Sequence, residues 1–161
     1  MPIKKLPSSN KETDPSASKT IVLLSSCLAG LRTRYDGNHK QKRELLRRLK
    51  GSAILPVCPE QLGGLPTPRS RAQIVGGDGT DVLRGKARVI NEQAQDVTAQ
   101  FIKGAKETLK IIRLNGAKRA FLKEGSPSCG TLRSVRGKRD SGPGVTTALL
   151  LKEGIEVISV D

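Results

Sequence analysis

Apolar residues fall into four short runs, which alternate with longer amphipathic stretches. The runs are TIVLL at 20–24, AILPVC at 53–58, RAFLK at 119–123 and EVISV at 156–160. Short, continuous apolar runs are typical of strands that are covered on both faces of a parallel sheet. Because helical patterns lie between them, the sequence predicts an α/β fold. We expect a single three-layer, Rossmann-like domain with a mostly parallel sheet flanked by helices.

Three stretches between these runs have helical periodicity. They are KQKRELLRRLKG at 40–51, the segment 97–114 and GVTTALLLKEG at 144–154. The apolar stripes are Leu45, Leu46 and Leu49 in the first, and Phe101, Ala105, Leu109 and Ile112 in the second. Asp96 or Thr98 is the predicted N-cap of the second helix, since both side chains can accept a hydrogen bond from a free backbone N–H.

The segment 59–96 is a long connection rich in turn residues. Its apolar pieces are short, so we predict irregular structure with a small hairpin. The glycines of GGDG match neither a Rossmann nor a P-loop spacing and are interpreted as turn formers. Long connections of this kind often form lids or binding loops, which is weak evidence for function.

The first 19 residues differ from the rest in composition. They are polar and rich in Ser and Pro, so we expect 1–19 to be a disordered tail and 20–161 to be the domain. No apolar run reaches membrane-spanning length, no apolar leader precedes the domain, and the cysteine count is odd. We therefore expect a cytoplasmic monomer or homodimer that does not associate with membranes.

Three cysteines each follow a predicted strand. Cys27 follows IVLLSS, Cys58 ends AILPVC and Cys129 follows AFLKEGSPS. Loops after neighbouring parallel strands converge at the carboxyl edge of the sheet, so the three thiols should meet there. They suit a metal ion or an iron–sulfur cluster, whereas one such cysteine is more often a small buried hydrophobe. Zinc with His39 as a fourth ligand is an alternative, although the chain lacks the close cysteine pairs usual in structural zinc sites.

The formal net charge is +14, and it is concentrated in two segments. Such basic patches attract RNA, nucleotides or other anions, and a solvated surface without a specific partner is the competing interpretation. Tyr35, Phe101 and Phe121 are the only aromatic residues, which disfavours a module that stacks bases on aromatic platforms. The basic residues are Arg32, Arg34, Lys40, Lys42, Arg43, Arg47, Arg48 and Lys50, then Arg133, Arg136, Lys138 and Arg139.

Five segments together resemble the bacterial family that includes thiouracil desulfidase. They are LSSCLAGLRTRYDG, ILPVCPEQLGGLPTPR, GGDGTDVLRGKARV, KEGSPSCG and PGVTTALLLKEGIEV, in this order from about residue 21 to the C-terminus. The resemblance implies a 4Fe–4S cluster on three cysteines, which match Cys27, Cys58 and Cys129. It also implies that the fourth iron takes the sulfur of a thiolated pyrimidine such as 2-thiouracil, without net redox change.

The implied reaction, C=S to C=O, needs a group that moves protons. Glu60 is the best candidate acid/base, because the Cys-Pro-Glu turn holds its carboxylate near Cys58; a carboxylate at a helix entry or on the surface is the alternative. In GSPSCGT, the hydroxyls of Ser126, Ser128 and Thr131 are expected to donate to cluster sulfur or to substrate. Ser128 and Thr131 are assigned to catalysis and Ser126 to substrate binding.

Arg34, Tyr35 and Asp36 form a second polar group. They are expected to bind a uracil edge or a phosphate, and a salt-bridged turn is the equal alternative. After Thr131 the sequence departs from the family, since LRSVRGKRDSGPG is short and basic where relatives carry a longer loop. The basic loop 132–139 therefore suggests the hypothesis that a phosphorylated nucleotide or a thiolated RNA is admitted in place of the free base.

Two other functions remain open at this point. A hydro-lyase also uses an open-iron cluster on three cysteines, and the basic residues would then hold a hydroxy acid. A basic nucleic-acid-binding protein with structural or zinc-binding cysteines is the alternative outside enzymes. Iron content and activity on thiolated bases distinguish the three.

Overall fold

The computed structural model describes residues 19–131, 133–135, 138–140 and 142–161, without the side chains of 132–141. The expectations for the N-terminal tail and for the side chains of the basic loop 132–139 therefore lie outside the described residues. Along the chain the elements are β1 (Ile21–Ser25), α1 (Ser26–Ala29), α2 (Arg43–Arg48), β2 (Ala53–Val57), α3 (Pro59–Leu62), β3 (Ala72–Val75), α4 (Gly79–Leu83), β4 (Arg88–Asn91), α5 (Thr98–Asn115), β5 (Arg119–Lys123), β6 (Arg133–Val135), β7 (Lys138–Asp140), α6 (Val145–Lys152) and β8 (Glu156–Val160).

The central sheet has the strand order β2-β1-β5-β8, and each neighbouring pair is parallel. These are the four strands that the apolar runs predict, to within one residue at each end. Two antiparallel pairs, β3-β4 and β6-β7, lie outside this sheet. The prediction of an α/β fold with a mostly parallel sheet flanked by helices is confirmed.

Both faces of the sheet are covered, as continuous apolar strands require. One face packs against α5 and α6 in a cluster of buried residues: Leu23, Val57, Leu109, Ile112, Ala117, Ala120, Leu122, Cys129 and Leu150. Side chains alternate along a strand, so Val22 and Leu24 point to the other face, where they are 2% and 0% exposed. Leu28 and Leu49, in the connection from β1 to β2, are also buried.

Helix α5 has the predicted apolar face, but its N-terminus differs from the prediction. Its N-cap is Val97, which makes no side-chain capping bond. The Asp96 carboxylate instead accepts from the backbone N–H of Thr98, and the Thr98 hydroxyl accepts from the N–H of Val89 in β4. Thr98 is thus used to hold α5 against β4. No helix in the described part of the chain is both long enough and apolar enough to cross a membrane.

Helix α2 is shorter than the predicted helix at 40–51. The backbone N–H of Lys40 bonds to the carbonyl of Cys27, and that of Lys42 bonds to the carbonyl of Leu28. These residues are therefore tied to α1, and the helix begins after them. Leu49 is buried directly after the helix ends, as the apolar stripe predicts.

The connection 59–96 contains the predicted hairpin together with two short helices that the sequence pattern did not indicate. β3 and β4 pair in antiparallel register from Ala72 opposite Asn91 to Val75 opposite Arg88. Helix α4 comes between β3 and β4 along the chain. It begins at a capping box, in which the carboxylates of Asp78 and Asp81 accept hydrogen bonds from backbone N–H groups. The GGDG glycines thus belong to a turn and a helix start.

Candidate metal centre

The three cysteines meet at the carboxyl edge of the central sheet. Cys27 lies in α1 after β1, Cys58 directly follows β2, and Cys129 lies in the loop after β5. These strands are adjacent and parallel, so the three segments leave the sheet on the same side. All three residues line one cavity of about 360 Å³, a volume that suits a small ligand. The structure brings the thiols together, as the sequence predicts.

Burial and mutual repulsion both oppose the charged form of these cysteines. Burial raises the pKa of each of the three thiols. Repulsion between neighbouring thiolates raises the pKa of Cys27 and Cys129 further, while the cationic Arg34 and Lys123 side chains act in the opposite direction on Cys27. Cysteines must be deprotonated to bind a metal. A positively charged metal group in the cavity would therefore stabilise the thiolate form of the three cysteines, which is disfavoured in its absence.

A tight turn presents Cys129 to the cavity. The hydroxyl of Ser126 accepts hydrogen bonds from the backbone N–H groups of Ser128 and Cys129, both at 3.1 Å. A Cβ added to Gly130 would lie 2.7 Å from the carbonyl oxygen of Ser126. Only glycine allows this close approach of the two backbone segments.

Glu60 lies at the start of α3, two residues after Cys58, and its side chain lines the cavity. Its Oε2 accepts from Nε of Arg69 at 2.6 Å, and its Oε1 accepts from the hydroxyl of Ser126 at 3.3 Å. The Glu60 side chain is 16% exposed. Each carboxylate oxygen retains a lone pair that can accept a proton from a molecule in the cavity. Glu60 also links the loop of Cys58 to the turn of Cys129.

Arg69 is the most buried cation of the site, with a side chain 6% exposed. Besides Glu60, its guanidinium donates to the carbonyl of Thr33 through both terminal nitrogens, each at 3.2 Å. One terminal nitrogen also donates to Oγ1 of Thr67 at 3.0 Å, and the other lies 3.8 Å from Sγ of Cys58. Arg69 therefore joins its own loop to the connection between β1 and β2 and to the segment from Cys58 to Glu60.

Arg34 and Tyr35 line the cavity, whereas Asp36 is not among its lining residues. Arg34 donates to both carboxylate oxygens of Asp36, at 3.2 and 3.0 Å, and this contact holds the pKa of Asp36 well below its usual range. The salt-bridged turn considered from the sequence is therefore present. The guanidinium carbons of Arg34 and Arg71 lie 5.3 and 4.6 Å from the centroid of the Tyr35 ring, and Arg71 also donates to the Tyr35 hydroxyl.

The hydroxyls of Ser128 and Thr131 have other partners. Ser128 is 1% exposed and shares a hydrogen bond of 2.8 Å with the hydroxyl of Thr146. Thr131 donates to Oε2 of Glu124 at 2.5 Å. Neither residue lines the cavity. A direct catalytic role for either one stays a prediction that this geometry does not support.

Sequence reasoning gave no role to Arg69, Arg71 or Lys123, although all three line the cavity. Arg69 is the last residue of the segment ILPVCPEQLGGLPTPR, which contains Cys58. Its place in the same family-like segment as a cysteine was the one indication in the sequence that Arg69 could belong to the site. Its contact with Glu60, nine residues earlier, depends on how the intervening loop folds, and no local pattern encodes this.

The donor set fits a cluster better than a single ion. Among the residues that the structure describes, no group of three or more His, Cys, Asp and Glu side chains is placed to hold one metal ion. His39 is exposed and does not line the cavity, so zinc with His39 as the fourth ligand is not supported. A cluster distributes its ligands over several irons, and three thiols around one cavity suit that requirement.

The 2-thiouracil desulfurase family matches this sequence over residues 22–161. The chain belongs to this family. The 2-thiouracil desulfurase family comprises enzymes that remove sulfur, and the resemblance noted in the sequence is confirmed. The match covers nearly all of the domain predicted at 20–161.

Two known proteins are also similar to this chain. The solved structure of a 4Fe–4S-dependent thiouracil desulfidase, TudS, superposes with a TM-score of 0.73 at 38% sequence identity, covering 88% of this chain and 91% of TudS. The uncharacterised protein YbbK of Bacillus subtilis strain 168 is 41% identical over 143 residues, which are 86% of this chain and 95% of YbbK. The likeness therefore extends over nearly the full length of both relatives.

Proposed function

We propose that this protein is a cluster-dependent desulfidase. It binds a 4Fe–4S cluster through Cys27, Cys58 and Cys129 and converts the C=S group of a thiolated pyrimidine such as 2-thiouracil into C=O. The observation that carries the proposal is the arrangement of three thiols and the carboxylate of Glu60 around one cavity. The likeness to TudS, a 4Fe–4S-dependent thiouracil desulfidase, supports the cofactor and the substrate class.

The conversion balances without an oxidant or a reductant. One water adds to the thiocarbonyl carbon, the C=S bond is replaced by C=O, and one hydrogen sulfide is released. When bound on three cysteines, the cluster supplies one iron without a protein ligand, which is a Lewis acid with affinity for sulfur. The remaining requirements are to hold the pyrimidine, to place the water and to move its protons.

Glu60 moves the protons. Its carboxylate accepts one proton from the attacking water and passes it to the departing sulfur, and it then transfers the proton of the new hydroxyl in the same way as C=O forms. Both water hydrogens thus leave in hydrogen sulfide, and carbon, sulfur and oxygen keep their oxidation states. Arg69 and Ser126 each bond one carboxylate oxygen, and these contacts support a fixed orientation beside the thiols.

Arg34 and Tyr35 bind the substrate. Ser126, which the sequence also assigns to substrate binding, lines the cavity, but its hydroxyl is already bonded to Glu60 and to the N–H groups of Ser128 and Cys129. Arg34 and Tyr35 bring hydrogen-bond donors to the cavity that suit a pyrimidine carbonyl or a phosphate, and Asp36 acts indirectly by fixing Arg34. The basic loop 132–139 extends the proposal to a phosphorylated nucleotide or a thiolated RNA. Replacement of Arg133, Arg136 and Arg139 should then lower activity on such substrates and leave activity on free 2-thiouracil unchanged.

The test is anaerobic purification followed by assays of iron and sulfide. The protein should be brown, contain about four irons per chain and release sulfide from 2-thiouracil as uracil forms. Cys27→Ser, Cys58→Ser and Cys129→Ser should each lose both cluster and activity, whereas Lys103→Ala, on the exposed side of α5, should keep them. A colourless protein with stoichiometric zinc would refute the proposal. Activity on hydroxy acids and none on thiolated bases would identify a hydro-lyase instead.

A further inference from the structure

We propose that Arg69 is a positioning residue that holds the Glu60 carboxylate and the Cys58 sulfur in a fixed mutual geometry. The catalytic consequence of this inference rests on the desulfidase function proposed above. The positioning itself does not rest on that function, because Arg69 contacts Glu60 and Cys58 whether or not the protein turns over a substrate. Arg69 lines the cavity but reaches the reaction through Glu60.

Arg69 is held independently of the carboxylate that it binds. The carbonyls of Thr33 and Pro66 and the hydroxyl of Thr67 all accept from its terminal nitrogens, at 3.0 to 3.2 Å. Its backbone N–H also donates to the carbonyl of Tyr35 at 2.8 Å. The guanidinium would therefore keep its place without Glu60. Because Nε lies 2.6 Å from Oε2 of Glu60, it is a fixed anchor for a side chain that could otherwise rotate.

The same guanidinium also lies against a thiol of the metal centre. Its second terminal nitrogen is 3.8 Å from Sγ of Cys58, and that sulfur is itself 3.6 Å from the carbonyl of Thr33, which Arg69 also binds. Hydrogen bonds to ligand sulfurs influence the reduction potential of iron–sulfur clusters. Arg69 thus contacts both Glu60, the proposed proton carrier, and Cys58, a predicted cluster ligand, in the wall of the cavity.

Lysine cannot reproduce this arrangement. The contacts use Nε and both terminal nitrogens in the planar fork of a guanidinium, whereas an ammonium group is a single point from which donors diverge. Arg69→Lys keeps the positive charge and removes the simultaneous reach to Glu60, Thr33 and Cys58. It therefore separates positioning from simple charge compensation, and Arg69→Gln serves as a second, uncharged variant.

Arg119→Lys is the matched control. Arg119 pairs with Glu156 through the same atoms, Nε to Oε2 at 2.7 Å, but on the surface between β5 and β8 with about half of its side chain exposed. We expect Arg69→Lys to retain iron and to lose about 10- to 100-fold in kcat with little change in KM, as displacement of a reacting group by about 1 Å does. The control should match the wild type. A wild-type kcat in both Arg69 variants would overturn the proposal.

A double-mutant cycle tests whether Arg69 acts through Glu60. If it does, Glu60→Gln combined with Arg69→Lys should be no slower than Glu60→Gln alone. Losses that multiply would show that Arg69 acts by a route other than Glu60, through Cys58 or on the substrate itself, which contradicts its role in positioning the carboxylate. The reduction potential gives a second readout, and it should shift in Arg69→Lys and stay near the wild-type value in Arg119→Lys.

Crystal structures of the iron-free wild type and of iron-free Arg69→Lys separate this inference from the proposed function. The Glu60 side chain should occupy one rotamer in the wild type and should move or spread over several in the variant. An unchanged Glu60 rotamer would overturn the inference even if the enzyme desulfurates thiouracil. A displaced Glu60 would support it even if the iron-loaded wild type proved inactive on every thiolated base.

Discussion

At the scale of single residues, the site depends on groups that perform two tasks at once. Ser126 shapes the turn that presents Cys129, through two backbone N–H groups, and it also donates to Glu60. Glu60 joins that turn to the loop of Cys58. A substitution here therefore affects thiol placement and proton transfer together, and conservative changes are needed to separate them.

Glu60→Gln is such a change. It keeps the side-chain volume and an oxygen that can accept from Arg69, but it removes the basic carboxylate. We expect wild-type iron content and a loss of about 10²- to 10⁴-fold in turnover, the usual contribution of a general acid/base. Iron analysis and sulfide release measure the two effects. Glu107→Gln, which removes the carboxylate of a surface ion pair with Lys110, is the control; near-wild-type turnover in Glu60→Gln would exclude the assigned role.

At the scale of elements, the position of the metal centre depends on a close crossing of two helices. Helix α3 carries Glu60 and directly follows Cys58, and it crosses α5 where Gly63 faces Gly104. A Cβ on Gly63 would lie 2.0 Å from the carbonyl oxygen of Gln100, and one on Gly104 would lie 1.9 Å from that of Pro59. These contacts are to backbone, which cannot move aside as a flexible side chain does.

Gly104→Ala should therefore displace α3 together with Cys58 and Glu60. Helix propensity alone would favour alanine by about 1 kcal/mol, but overpacking against backbone typically costs about 1–3 kcal/mol or more. We expect a lower free energy of unfolding in urea and a reduced capacity to retain iron. Lys103→Ala, on the exposed side of the same helix, should change neither, and a Gly104→Ala protein with wild-type iron content would contradict this account.

A carboxylate links β5 to β8 beside the site. Burial raises the pKa of Glu124, but hydrogen bonds from Ser159, Thr131 and the N–H of Gly125 outweigh it and lower the pKa to about 2 from an ordinary value of 4.5. Because the folded state favours the charged form, this stabilisation is complete above pH 4.5 and is lost as the pH falls towards 2.

Glu124→Gln should consequently be less stable than the wild type at neutral pH, and the difference should shrink as the pH falls below 4.5. Urea unfolding midpoints of both proteins across this range provide the measurement. A difference that stays constant with pH would mean that the charge of Glu124 does not contribute, and that the loss comes from side-chain packing alone.

At the scale of the whole molecule, the net charge of +14 should act on charged substrates before they reach the cavity. We expect kcat/KM for 2-thiouridine monophosphate to fall more steeply between about 50 and 200 mM salt than kcat/KM for uncharged 2-thiouracil. Steady-state kinetics at several salt concentrations measure this directly. Equal salt dependence for the two substrates would argue against electrostatic recruitment of a phosphorylated substrate.

The outline of this molecule was available from local sequence. The four apolar runs predict the four central strands, because a strand buried on both faces must be apolar throughout. Three cysteines placed after such strands predict a shared edge, because parallel strands end on the same side. Helix ends were less predictable: α2 begins late because Lys40 and Lys42 bond to the carbonyls of α1.

Local sequence is therefore enough to predict the sheet, the meeting of Cys27, Cys58 and Cys129, and the presence of Glu60 beside them. The contact of Arg69 with Glu60 and the bonding of Ser128 and Thr131 to partners outside the cavity become visible only in the folded chain. The difference lies in the distance along the chain over which each interaction acts. Burial and periodicity act on neighbouring residues and leave a pattern in the chain, whereas a guanidinium that joins its own loop to two distant segments depends on how the three fold around one another.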